Sequence, residues 1–118
     1  TRAPRFPFAP ATLLAPMEGV THPTIRRLIA AHGGLGLLCT EFVRVSRAPL
    51  SPSALAASVV KAPNLPLSVQ VMGNDADKMA EAAEHVSRAG ADVVDVNLGC
   101  PMPRVVQPVS SRAGRGQR

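Results

Sequence analysis

The sequence predicts an α/β fold built on a parallel sheet. Four short apolar runs of strand length end near Met17, Val45, Gly73 and Asn97. The segments between them place apolar residues at helical spacing or are rich in alanine. Near-continuous apolar strands that alternate with amphipathic helices form right-handed βαβ units, because each strand is covered on both faces. Four strands do not close a parallel barrel, which usually takes about 250 residues, and an open doubly wound sheet would be near its lower size limit.

Residues 1–11 contain Pro4, Pro7 and Pro10 and read as an extended leader. Thr12 to Met17 form the first strand, with Pro16 near its end where a missing N–H is tolerable. Thr21 is the expected N-cap of a helix with Pro23 in its first turn. Ile25, Leu28 and Ile29 supply that helix's apolar face opposite Arg26 and Arg27, and Gly33-Gly34 ends it. A second strand runs from Leu35 to Val45, followed by a Pro- and Ser-rich stretch and an Ala-rich helix near 53–61. Leu67 to Met72 form the third strand, stopped by Gly73. Asn74 or Asp75 caps a helix carrying Met79, Ala82, Ala83 and Val86, which Gly90 closes. Asp92 to Asn97 form the fourth strand. Beyond Pro101 the pattern fails: residues 107–118 end in a Gly-, Ser- and Arg-rich tail with neither period.

Composition narrows the function classes. With 118 residues, 46% of them hydrophobic, the chain expects to bury a core, whereas 3% aromatic residues with no Trp or Tyr leave few platforms for base stacking. The net charge of +5 is uneven: Arg104, Arg112, Arg115 and Arg118 follow one another without an acid, and Arg2 and Arg5 precede the first carboxylate, Glu18. A tail of this composition favours a solvated end over an anion-binding one. Cys39 and Cys100 form no C-x-x-C pair, and no His stands at ligand spacing, so no metal site is expected. The absence of a signal-like start and of a long apolar run points to a cytoplasmic setting and no membrane span. A first residue of Thr rather than Met suggests a start further upstream.

Ligands of parallel α/β folds sit at the C-terminal ends of the strands, where loops diverge and helix N-termini point. Those ends supply Pro16, Met17 and Glu18, then Thr40 and Glu41, then Gln70 and Met72, and finally Asn97 and Cys100. Cys100, between Gly99 and Pro101, can be a nucleophile, a proton donor or a small hydrophobe. Gln70 reads as a rim hydrogen-bonder, Asp95 as a carboxylate satisfied by nearby backbone, and Cys39 as core filler. Glu41 is either an acid at the mouth of the sheet or a partner for a loop. His22, His32 and His85 are expected at surface or capping positions. Gly33-Gly34-Leu35-Gly36 precedes a strand instead of following one, which disfavours a Rossmann phosphate loop.

Together these motifs resemble the tRNA-dihydrouridine synthases. Leu14-Ala15-Pro16-Met17-Glu18-Gly19-Val20-Thr21 is similar to the family's opening strand and loop. Cys39-Thr40-Glu41-Phe42-Val43, Val69-Gln70-Val71-Met72-Gly73 and Asp95-Val96-Asn97-Leu98-Gly99-Cys100-Pro101 resemble its next three strands, in order. The wording around Met17 and Phe42 looks closest to the bacterial C-type, the tRNA-dihydrouridine(16) synthases. The resemblance implies the first half of an FMN-binding TIM (β/α)8 barrel over residues 12–106. It further implies NADPH as reductant, a D-loop uridine of tRNA as substrate, and a full-length enzyme that is a monomer. By the same resemblance Cys100 is the general acid, Asn97 contacts the uracil, Pro16 and Met17 line the flavin through their backbone, and Gln70 bonds its pyrimidine edge. An ordinary thiol, with a pKa of roughly 8.5, is mostly protonated at neutral pH and suits the donor role.

Past Val106 the family's Gly- and Ala-rich loop has no counterpart, nor do its later flavin-holding Lys and His. Two alternatives stay open on the sequence. One is another FMN barrel, of the dihydroorotate or dihydropyrimidine dehydrogenase type; the other is a non-catalytic remnant that binds RNA weakly through its Arg-rich end. This chain by itself is expected to be inactive.

Overall fold

The computed structural model describes residues 5–45 and 51–99. Its elements run α1 (Pro23–His32), β1 (Leu38–Cys39), β2 (Val43–Val45), α2 (Pro52–Ser58), β3 (Leu67–Gly73), α3 (Ala76–Arg88) and β4 (Val93–Asn97). Every ladder among these strands is parallel. β1 and β2 both pair with one edge of β3, and β4 pairs with the other. A bridge from Leu13 to Leu37 adds the start of the chain beside β1. Neighbours across the sheet therefore follow chain order.

β3 is the centre of the molecule, and its pleat divides the chemistry. Leu67, Val69 and Val71 point to one face and are at most 1% exposed. They pack with Leu38, Val45, Leu55, Ala62, Ala82 and Val86. Burying each of the Leu and Val side chains contributes about 1.5–3 kcal/mol. Ala82 and Val86 come from α3, whose start is fixed by the Asp75 carboxylate accepting from the Lys78 N–H at 3.1 Å. Ser68, Gln70 and Met72 point to the opposite face and are buried as well.

Several details differ from the sequence reading. The first strand shrinks to its bridge at Leu13, because the backbone beyond it turns into hydrogen bonds of its own at Met17 to Thr21. The second strand is split: Cys39 pairs with Ser68 but Val43 with Val71, so Thr40, Glu41 and Phe42 stand against only Val69 and Gln70. This extra residue is a bulge. Thr21 is not the N-cap of α1; His22 holds that position without a side-chain bond, and Thr21 is fully buried. On α1 it is Arg26 that is buried while Leu28 is 59% exposed, so the helix turns its stripe further round than spacing alone suggests. The Ala-rich helix is also shorter than expected, with Ser51 as its cap.

The leader does more than trail. Pro10 crosses Gly36 so closely that a Cβ there would lie 2.0 Å from the Pro10 carbonyl oxygen, and the Gly36 N–H donates to the Thr12 carbonyl at 2.8 Å. Only glycine allows that approach.

Candidate active site

The polar face of β3 continues across β4. Register sets Ser68 beside Val93, Gln70 beside Asp95 and Met72 beside Asn97, so Gln70, Asp95 and Asn97 share one face at the C-terminal end of the sheet. They form a chain of side-chain hydrogen bonds. Gln70 Nε2 donates to Asp95 Oδ2 in a short contact. Asn97 Nδ2 donates to Gln70 Oε1 at 3.3 Å, and Asn97 Oδ1 accepts from the Gly99 N–H at 3.0 Å. Asp95 is thus satisfied by a side chain and not by neighbouring backbone as the sequence suggested.

The bulge supports this row from the other side. With one residue too many in β1–β2, the Gln70 N–H turns to the Thr40 hydroxyl at 3.2 Å, and the same hydroxyl donates to the Glu41 carbonyl at 2.6 Å. Thr40 is 3% exposed, so both bonds are made in a dry setting where an orphaned N–H would cost about 1–3 kcal/mol. Cys39 shares the face through its register with Ser68. Burial pushes the Cys39 thiol up, a hydrogen bond with Ser68 opposes this, and the Asp95 charge adds to the rise. Cys39 therefore stays a neutral thiol. Arg44 lies in register with Met72, its guanidinium 5.9 Å from the Phe42 ring centre.

The loop from Met17 to Thr21 lies beyond the first strand. The Thr21 hydroxyl accepts from the Met17 N–H at 3.0 Å and donates to the Met17 carbonyl at 3.1 Å, while Val20 N–H and Thr21 N–H also reach that carbonyl. Met17 is 41% exposed and Pro16 half-buried. Arg26 fastens this loop to the segment before β3, donating to Thr21 O at 2.6 Å and Val60 O at 2.8 Å. Its Nε has no partner among the described residues. Burial holds the guanidinium pKa below its ordinary value, and Glu41 acts against that. Glu41 itself is half-buried, and its carbonyl accepts from the Thr40 hydroxyl within the bulge.

Of the sequence-predicted residues, the structure joins Gln70 and Asn97 directly. Pro16 and Met17 sit in a separate loop whose bonds are local or run to Arg26. Cys100 lies outside the described residues, as do residues 101–118, which include the basic tail of 107–118. Sequence reading missed Arg26, Thr40 and Asp95 as organisers. Alternating polar residues Ser68 and Gln70 in one strand, Asp95 and Asn97 in another, were the available sign of a common polar face. For Arg26 no comparable sign existed. Among the described residues no group of three or more His, Cys, Asp or Glu is arranged to hold a metal, and no helix is long and apolar enough to cross a membrane.

The family model described as dihydrouridine synthase (Dus) matches residues 13–110. The chain belongs to the dihydrouridine synthase family. A probable tRNA-dihydrouridine synthase of Rhodobacter capsulatus is 41% identical over 88% of this chain and 32% of its own length. A tRNA-dihydrouridine(16) synthase of Neisseria meningitidis serogroup A is 37% identical, over 79% of this chain and 30% of its own. The tRNA-dihydrouridine synthase B of Pseudomonas syringae pv. tomato is 34% identical over 86% of this chain and 30% of its own. The chain thus spans about a third of the length of the curated relatives it matches. No solved structure gives a significant match. Within the dihydrouridine synthase match lie the Met17–Thr21 loop, the bulge at Thr40 and the whole Gln70–Asp95–Asn97 row.

Proposed function

We propose that residues 12–106 are the first part of the flavin-binding barrel of a cytoplasmic, monomeric tRNA-dihydrouridine synthase, with residues 1–11 as leader and 107–118 as tail. The observation that carries this reading is the hydrogen bond between Gln70 and Asn97 at the strand ends, three residues before Cys100. The order of strands supports it too: neighbours follow chain order, as in a barrel, with no reversal of the doubly wound kind among the described strands.

The donor set fits FMN. A carboxamide has two N–H groups and two acceptor lone pairs, and Gln70 uses one of each on Asp95 and Asn97. One N–H and one lone pair remain, the pairing a flavin's pyrimidine edge requires. Pro16 and Met17 would flank the ring through their backbone, since Thr21 and Arg26 hold that loop in one shape. When bound and reduced by NADPH, FMN supplies the hydride for C6 of the uracil. Asn97, with its own spare N–H and lone pair, orients the uracil. The Cys100 thiol gives its proton to C5, completing addition of H⁻ and H⁺ across the C5–C6 double bond, and the thiolate regains a proton from solvent. The substrate uridine must leave its stack to reach this face. The Met17-Glu18-Gly19-Val20 wording favours uridine 16 of the D-loop as the target.

The test uses the complete protein, loaded with FMN, and follows NADPH oxidation. Turnover with unmodified tRNA and none with dihydroorotate is expected. The opposite preference would transfer the site to a pyrimidine-dehydrogenase barrel, and NADPH-independent tRNA binding through the Arg-rich end alone would leave no enzyme.

A further inference from the structure

We infer that Asp95 is a positioning residue whose carboxylate dictates which way the Gln70 and Asn97 amides face. The inference rests on the functional reading above for the reaction it serves. The amide orientation itself is a property of the folded chain.

The oxygen and nitrogen of a carboxamide are nearly the same size, so packing alone does not choose between the two flips; the hydrogen-bond partners do. A carboxylate can only accept. Gln70 must therefore turn Nε2 towards Asp95, which leaves Oε1 facing Asn97. Oε1 can only accept, so Asn97 must present Nδ2, and its Oδ1 then faces the Gly99 N–H. Every donor in the row points towards Asp95. The opposite polarity would bring Asn97 Nδ2 against the Gly99 N–H, donor against donor. Gly99 immediately precedes Cys100 in the sequence, so the row holds the chain up to the residue before it.

The strongest bond lies at the buried end. Gln70 is 7% exposed, and a bond to an ionised acceptor is roughly twice as strong as a neutral one. The Gly99 end is exposed, and its single bond is weaker as a selector. Asp95 also acts on the Cys39 thiol across the same face, which places its charge among these groups.

Asp95→Asn keeps the shape and removes the compulsion, because an amide in place of the carboxylate can accept from Gln70 or donate to it. Adding Gln70→Glu restores a single solution: the carboxylate now in the middle of the row accepts from the amides on both sides, so Asn97 and Gly99 regain their polarity. The measurement is the ¹⁵N NMR spectrum of the complete protein without tRNA, labelled at Gly and at Asn and Gln side chains. Asp95→Asn should split or shift the Gly99 and Asn97 signals while most other signals stay in place, and the double variant should return them to single resonances. In the uridine-reduction assay Asp95→Asn should lower kcat about tenfold or more, with KM for tRNA within about twofold, as expected for misorientation without lost affinity.

Unaltered Gly99 and Asn97 signals in Asp95→Asn would overturn the inference, as would a double variant that fails to restore them. If Asp95→Asn does not fold, the double variant decides by the same signals. A wild-type protein that forms no dihydrouridine would sink the functional reading, and the NMR outcome would still judge the role of Asp95.

Discussion

The two faces of β3 are built from adjacent residues of one strand and follow different rules. Leu67, Val69 and Val71 meet helices and hold by area removed from water. Ser68, Gln70 and Met72 are also buried, but their side of the strand continues into a row of amides and a carboxylate whose members hold by direction. Area tolerates exchange among similar shapes, whereas direction does not. A stable half and a specific half of the same sheet are thereby separated by the pleat alone.

Substitutions should expose the contrast in decreasing order of effect. Leu67→Ala removes a side chain that is 0% exposed and should cost about 3 kcal/mol of stability, read from denaturant unfolding of the purified protein. Asn97→Ala should behave oppositely: stability changes by under about 1 kcal/mol, since its bond to Gln70 is long and half-exposed, while kcat for uridine reduction falls about 10- to 100-fold. If both variants lost stability equally, the two faces would not differ as described.

The N-terminal end of the sheet gives the smallest effect and a pH signature. Asp92 accepts from the Leu67 N–H at 2.8 Å and pairs with Lys61 at 2.6 Å, and these two partners, Lys61 foremost, hold its pKa below the usual carboxylate range. A depressed carboxylate adds stability above its ordinary pKa of about 3.9, and that stability is lost as pH falls through the lower folded value. Asp92→Ala should therefore cost about 1 kcal/mol near neutral pH, with the difference from wild type shrinking below about pH 4. The Lys61 pair is largely exposed, so most of this cost comes from the Leu67 N–H.

Much of the fold was legible because local signals agreed with it. Asp75, the period of Ala82 and Val86, and Gly90 all mark α3, and β3 spans the expected run to Gly73. The splitting of the second strand was not legible, since a one-residue slip within Leu35 to Val45 leaves no mark in composition. Arg26 misled for a related reason. Helical spacing cannot show that two backbone carbonyls, at Thr21 and Val60, lie ready to accept a buried guanidinium. At the site, family motifs singled out Gln70 and Asn97, while Asp95 at the buried end of their row needed the register of β3 on β4 to explain it. The position of Cys100 lies outside the described residues, and its role comes from the motif alone.

The most direct test is to incubate the complete FMN-loaded protein with NADPH and unmodified tRNA and count dihydrouridine per tRNA by mass spectrometry, beside Cys100→Ala. One new dihydrouridine in the D-loop is expected for the wild type, with the rate reduced about 10²- to 10⁴-fold in the variant, the range for loss of a general acid. No dihydrouridine from the wild type, or an equal rate from Cys100→Ala, would contradict the assignment of this strand end as the place where uridine is reduced.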